Sequence, residues 1–124
     1  MLNLDIVYGK KKTFVLEVRD VDNVLINLDS KVLRFNVRHR SAAVTHLFSK
    51  ATGSGIIHHA SQGSTGMGFA TLTLDPADTT GHSEISNYLV TSLLAELELI
   101  QDSVNPETLD EGFLTVEPAV RKTI

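Results

Sequence analysis

Ala70-Thr71-Leu72-Thr73-Leu74-Asp75-Pro76-Ala77-Asp78-Thr79 is a strand running into a turn. Ala70, Leu72 and Leu74 alternate with Thr71 and Thr73, the period of a strand that buries one face. Asp78-Thr79-Thr80-Gly81 predicts a turn or a single helical turn. Downstream, an apolar stretch closes on Ala95-Glu96-Leu97-Glu98-Leu99-Ile100, again with strand alternation. A polar loop from Gln101 to Asp110 leads to a last strand, Glu111-Gly112-Phe113-Leu114-Thr115-Val116, which closes on Pro118. This order reads as the back half of a small β-sandwich.

The front half alternates as well. Residues 2–7 do so loosely and end in a turn with a basic cluster, Lys10-Lys11-Lys12. Phe14, Leu16 and Val18 then face one way, and Thr13, Glu17 and Arg19 the other. Asp20-Val21-Asp22-Asn23 and the segment from Asn27 to Lys31 are turns on either side of a short apolar piece, Val24-Leu25-Ile26. Leu33, Phe35, Val37 and His39 oppose Arg34, Asn36, Arg38 and Arg40, one packed face and one wet face, as in an antiparallel sheet. Ser41-Ala42-Ala43 turns the chain and Val44 to Lys50 returns as a strand. Residues 52–68 are rich in glycine and serine, interrupted by Ile56-Ile57-His58-His59, which predicts a short strand between two mobile loops.

Residues 84–94 stay open between a short helix and a strand. Ile85, Tyr88, Leu89 and Leu93 fall at helical spacing, whereas Ala95, Leu97 and Leu99 alternate with Glu96 and Glu98. Taken together, the pattern predicts an all-β protein, an antiparallel immunoglobulin-like β-sandwich of about seven strands in a single domain, 1–124. The chain has no cysteine and no tryptophan, so the likeness to antibody domains is architectural.

Composition narrows the functions. Net charge is −4, so the field of the whole protein does not attract nucleic acid. Without cysteine there is no disulfide and no thiolate metal site. Met1 to Ile6 lacks the basic start and long apolar run of a signal peptide, and no run approaches the roughly 20 apolar residues of a membrane span. The expectation is a protein made in the cytoplasm and not secreted, with no membrane partner.

The candidate chemistry is sparse. His58 and His59 are adjacent, so on a strand they point to opposite faces, and His39 and His46 flank a predicted hairpin without a carboxylate in register. Metal sites need three or four convergent ligands, so no metal is expected. Asp20, Asp22 and Asn23 begin like a calcium loop, but Val24 stands where a third oxygen ligand belongs. Glu96 and Glu98 share a strand face, as residues of any solvated face do. Gly53-Ser54-Gly55 and Gly63-Ser64-Thr65-Gly66 lack the Gly-Lys-Ser/Thr ending of a phosphate loop. No nucleophile–base pair or metal triad can be assembled, so neither enzyme activity nor a cofactor is expected. Arg34, Arg38 and Arg40 form a basic stripe, which suits a protein partner better than nucleic acid, given 6% aromatics. The candidate contact residues are that stripe, Ile56, Ile57, His58 and His59 in the 52–68 stretch, and Tyr88 and Leu89. Residues 2–7 are a further candidate, able to pair with a neighbour's sheet edge.

One family likeness emerges. Thr13-Phe14-Val15-Leu16-Glu17-Val18-Arg19-Asp20, then Leu28 and the strand Val32 to Val37, resembles the front of the N-terminal domain of phage baseplate upper proteins. The run Ala70 to Thr79 and the closing Gly112-Phe113-Leu114-Thr115-Val116 with Pro118 are similar to the middle and end of such small Ig-like virion domains. The likeness spans about Thr13 to Val120 and differs from the scheme between Glu84 and Leu94. It implies a non-enzymatic virion component at the tail, baseplate or fibre attachment, partnered by other virion structural proteins in a symmetric homo-oligomer. A capsid decoration or cement protein is the alternative of the same class. A soluble ligand- or carbohydrate-binding module is the alternative of another.

Overall fold

The computed structural model describes residues 2–39, 46–101 and 106–119. In chain order the elements are β1 (Leu2–Val7), β2 (Lys12–Glu17), β3 (Val32–Arg38), β4 (His46–Thr52), β5 (Gly55–His58), β6 (Phe69–Leu74), α1 (Pro76–Thr80), β7 (Thr91–Ile100) and β8 (Glu107–Glu117). The strands form one sheet in the order β1-β8-β7-β3-β4-β5-β6-β2, which curls into a nearly closed, barrel-like sandwich. The expected all-β class is what is found. The pairing is mixed: β1–β8 and β4–β5 are parallel and the other five ladders antiparallel.

Alternation decides what lies inside. Leu33, Phe35 and Val37 of β3, Leu93, Ala95, Leu97 and Leu99 of β7, Ala70, Leu72 and Leu74 of β6, and Leu114 and Val116 of β8 all point inward and are buried. Burying each leucine or phenylalanine stabilises the fold by about 1.5–3 kcal/mol before entropy is counted. β8 starts earlier than the expected polar loop allows, because Glu107 and Thr108 pair with Leu99 and Glu98 across a bulge.

β1 pairs within its own chain along one edge. It runs parallel to β8, from Leu2 opposite Gly112 to Val7 opposite Glu117, and buries Ile6. Gly112 permits this approach, since a Cβ there would lie 1.7 Å from the Leu2 carbonyl oxygen. β1 and β2, joined by residues 8–11, are the two ends of the sheet and form no ladder with each other. Lys12 Nζ donates to the Asp5 carbonyl across the gap at 2.7 Å. The gap holds a cleft of about 450 Å³ between Leu4 and Leu16, with Leu97 also lining it.

Residues 84–94 contain no helix. Among the described residues the helix is α1, in the segment read as a turn or single helical turn. Asp78 Oδ2 accepts the Asp75 N–H at 2.7 Å, and Pro76 brings a preset φ to the first turn. Thr79 is buried and accepts the Gly9 N–H at 2.8 Å, while Lys50 Nζ lies 2.9 Å from Asp78. These contacts tie α1 to the β1–β2 turn and to β4. Beyond it, residues 82–90 are turns and bends, and Thr91 opens β7. Traced through the ladders, β1, β3, β6 and β8 run one way and β2, β4, β5 and β7 the other. Turn 8–11, α1 and loop 82–90 therefore sit at one end of the barrel, and segments 18–31 and 59–68 at the opposite end.

Candidate functional site

The basic stripe is not a free cationic face. Arg34 Nε donates to Glu98 Oε1 at 2.9 Å. Asn36 Nδ2 donates to the same oxygen and to Glu96 Oε1, and Asn36 Oδ1 accepts from Ser49 Oγ at 2.7 Å. Asn36 is 2% exposed and Glu98 7%, so the face expected to be wet carries a buried polar network. A buried carboxylate persists only when paired and hydrogen-bonded, which Arg34 and Asn36 accomplish. Arg38 is half-buried and engaged, and Arg40 lies outside the described residues, as does the Ser41–Ala43 turn. Beside the network, Arg38, His46, Glu96, Glu111 and Phe113 line an open cavity of about 320 Å³.

The 52–68 stretch divides by residue. Ile56 is fully buried against the core, a correction to its place among the contact residues: on β5 it faces inward opposite Leu72. Ile57 faces outward and is 69% exposed. His59 is exposed, its Nδ1 accepting the Ser61 N–H at 3.0 Å and its ring filling the space that a Cβ on Gly66 would need. The glycine-rich segment after it is pinned rather than loose. Gln62 is 1% exposed; its Oε1 accepts the N–H groups of Leu28 and Gly68, and its Nε2 donates to the carbonyls of His59 and Phe69. Nothing in the residues around Gln62 marks it in the sequence as the organiser of this loop.

His58 is drawn into the structure. Its Nε2 lies 2.8 Å from Thr52 Oγ1, which also accepts the Leu33 N–H at 2.9 Å. A hydroxyl and an imidazole thus meet where none were expected to. With one lone pair serving Leu33, the Thr52 hydroxyl still shares a hydrogen bond with Nε2, its direction set by the imidazole tautomer, and so links three strands. Burial lowers the His58 pKa below its ordinary value, against the opposing pull of Asp29 and a hydrogen bond to the Leu28 backbone. Between that lowered value and about 6.5 the unfolded chain binds more protons than the folded one. Stability is therefore full above this window and falls as the pH drops through it. Calorimetric melting temperatures measured on both sides of the window should show this fall, and His58→Gln should flatten it. An unchanged slope in the variant would assign the effect elsewhere.

The third place is the loop after Ile85. Helical spacing made Ile85, Tyr88 and Leu89 one face; the loop instead buries Ile85 and sends the other two outward. Ser86 Oγ accepts the N–H groups of Tyr88 and Leu89 at 3.0 Å each, and the Ser86 N–H is held by Thr91 Oγ1 at 3.1 Å. A side chain that takes these amides competes with helical hydrogen bonds and builds a turn. Tyr88, Leu89 and Val90 then project as consecutive apolar side chains, Leu89 being 72% exposed. The turn at Asp20 is closed likewise, by Asp20 Oδ1 accepting the N–H groups of Asp22 and Val24, and Asn23 takes a φ of 64°. Among the described residues no group of three His, Cys, Asp or Glu side chains could hold a metal ion, and no helix is long and apolar enough to cross a membrane.

No family model, curated protein or solved structure matches this chain significantly.

Proposed function

We propose that this chain is a non-enzymatic structural subunit of a tailed-phage particle, placed at the tail, baseplate or fibre attachment and contacting other virion proteins. The observation that carries the reading is the projecting Tyr88-Leu89-Val90 loop, whose backbone is held by Ser86 and Thr91. Three adjacent apolar side chains on a tied loop present area at little ordering cost, the property of an interface anchor. The strand-and-turn resemblance to baseplate upper proteins supplies the setting. Immunogold electron microscopy with an antibody to the purified chain tests it. Gold on the tail or its tip supports the proposal, gold over the shell favours a capsid decoration protein, and protein confined to the soluble fraction overturns both. Leu89→Asp should stay folded, within about 0.5 kcal/mol of the parent as for other exposed substitutions, and should be lost from purified particles.

A ligand-binding module is the second reading, favoured by the cavity whose walls carry Arg38, His46, Glu96 and Glu111 beside Phe113. Charges of both signs converging next to an aromatic ring suit a small polar ligand. Under this reading, particles carry no gold and Glu96→Ala removes binding in a screen of sugars and amino acids.

A further inference from the structure

Two exposed apolar features of opposite shape stand on this molecule. One is the convex loop of Tyr88, Leu89 and Val90. The other is a groove of about 320 Å³ on the outer face of β2, β5 and β6, lined by Val15, Ile57, His59, Phe69 and Thr71. Val15 and Ile57 flank Thr71 in register across three strands, and are 72% and 69% exposed. The walls of this groove are almost wholly apolar and open to solvent.

We infer that the two features bind each other between copies of this chain, the 88–90 loop of one copy seating in the Val15–Ile57–Phe69 groove of the next. Their placement rules out contact within one molecule. The loop lies at the barrel end that carries α1, whereas Ile57 lies near the end of β5 and Phe69 at the start of β6, toward the opposite end. The chemistry matches on both sides. Tyr88, Leu89, Val90, Val15, Ile57, Phe69 and Thr71 carry no charge, and the ionisable side chains along the groove are His58 and His59, so the seat sets apolar surface mainly against apolar surface. The loop is pre-ordered by Ser86 and the groove is built on strands, so neither pays much ordering entropy. Such an interface is heterologous: each copy offers a loop to one neighbour and a groove to another, which yields a ring or a file of subunits rather than a two-fold dimer. The inference deepens the assembly reading by naming a partner. Its test reads self-association of the pure protein, and the particle labelling above stands or falls separately.

Sedimentation velocity of the purified chain from about 10 μM to about 1 mM should show concentration-dependent oligomers. Leu89→Asp and Ile57→Asp should each weaken association by about 100-fold or more, as loss of an interface anchor does. Mixing the two variants is the decisive step. One intact loop then meets one intact groove, so the mixture should form a heterodimer and nothing larger. Tyr88→Ser and Val15→Ser, milder changes at exposed positions, should repeat the pattern if either aspartate variant loses its circular dichroism. A monomeric parent throughout, either variant assembling like the parent, or a mixture that stays monomeric would overturn the inference. Disruption by the loop variant alone would indicate a loop-to-loop dimer and overturn it equally.

Discussion

Gly112→Ala should cost about 4 kcal/mol of stability, most of it from expelling β1, because each apolar side chain released contributes about 1.5–3 kcal/mol. The new methyl would fall 1.7 Å from the Leu2 carbonyl oxygen and 2.8 Å from the Leu2 nitrogen. Those atoms are main chain, so no rotamer relieves the clash, and the first residues of β1 must leave β8. With them go the burial of Ile6 and the packing of Leu2 and Leu4 on the core. Urea unfolding measures the loss, and hydrogen exchange locates it: amides of β1 should lose protection while those of β3 and β7 keep theirs. Gly63→Ala is the control, since a Cβ there meets nothing within 4 Å. A Gly112→Ala protein as stable as the parent would mean that β1 does not occupy this place.

Gln62→Ala should cost about 3–5 kcal/mol, because an unsatisfied buried polar group costs about 1–3 kcal/mol and three groups lose their partner at once, while the Phe69 carbonyl keeps the His59 N–H. The N–H groups of Leu28 and Gly68 lose acceptors at 2.9 and 3.0 Å, and the carbonyls of His59 and Phe69 lose donors at 3.1 and 2.9 Å. Gln62→Glu is the sharper probe. It keeps size and acceptors but sets a carboxylate against two carbonyls, so it should also be destabilised. Protection of the Leu28 and Gly68 amides should vanish in the alanine variant before the rest of the fold opens. A loss below about 1 kcal/mol would mean that water replaces the side chain and the loop is loose.

Alternation made the strands around Phe35, Leu72 and Leu114 legible, since a two-residue period has one physical cause. It could not reveal that Leu2–Val7 lies parallel to the strand after Gly112, because no local pattern couples segments over a hundred residues apart. Nor does it tell a wet face from a covered one: Asn36 and Glu98 read as solvent-facing and are buried because they satisfy each other and Arg34. Of the candidate site, Ile57, Tyr88 and Leu89 stood out in the sequence as large apolar side chains, and the structure exposes all three. Ile56 was misplaced because a short strand among loops gives no phase by which to tell inside from outside. Gln62 stayed invisible because its role is set by four backbone groups, none of which has a sequence signature.

The pairing of β1 with β8 also sets a schedule. A ribosome adds about 5–20 residues per second. Some 110 residues separate Leu2 from Gly112, so β1 waits about 5–20 s for its partner to be synthesised. Through that interval Leu2, Leu4 and Ile6 are an unpaired apolar strand on a nascent chain, open to any waiting chaperone or to a neighbouring polysome product. The yield of this protein in a cell should therefore respond to translation speed and to chaperone supply more than its final stability would suggest.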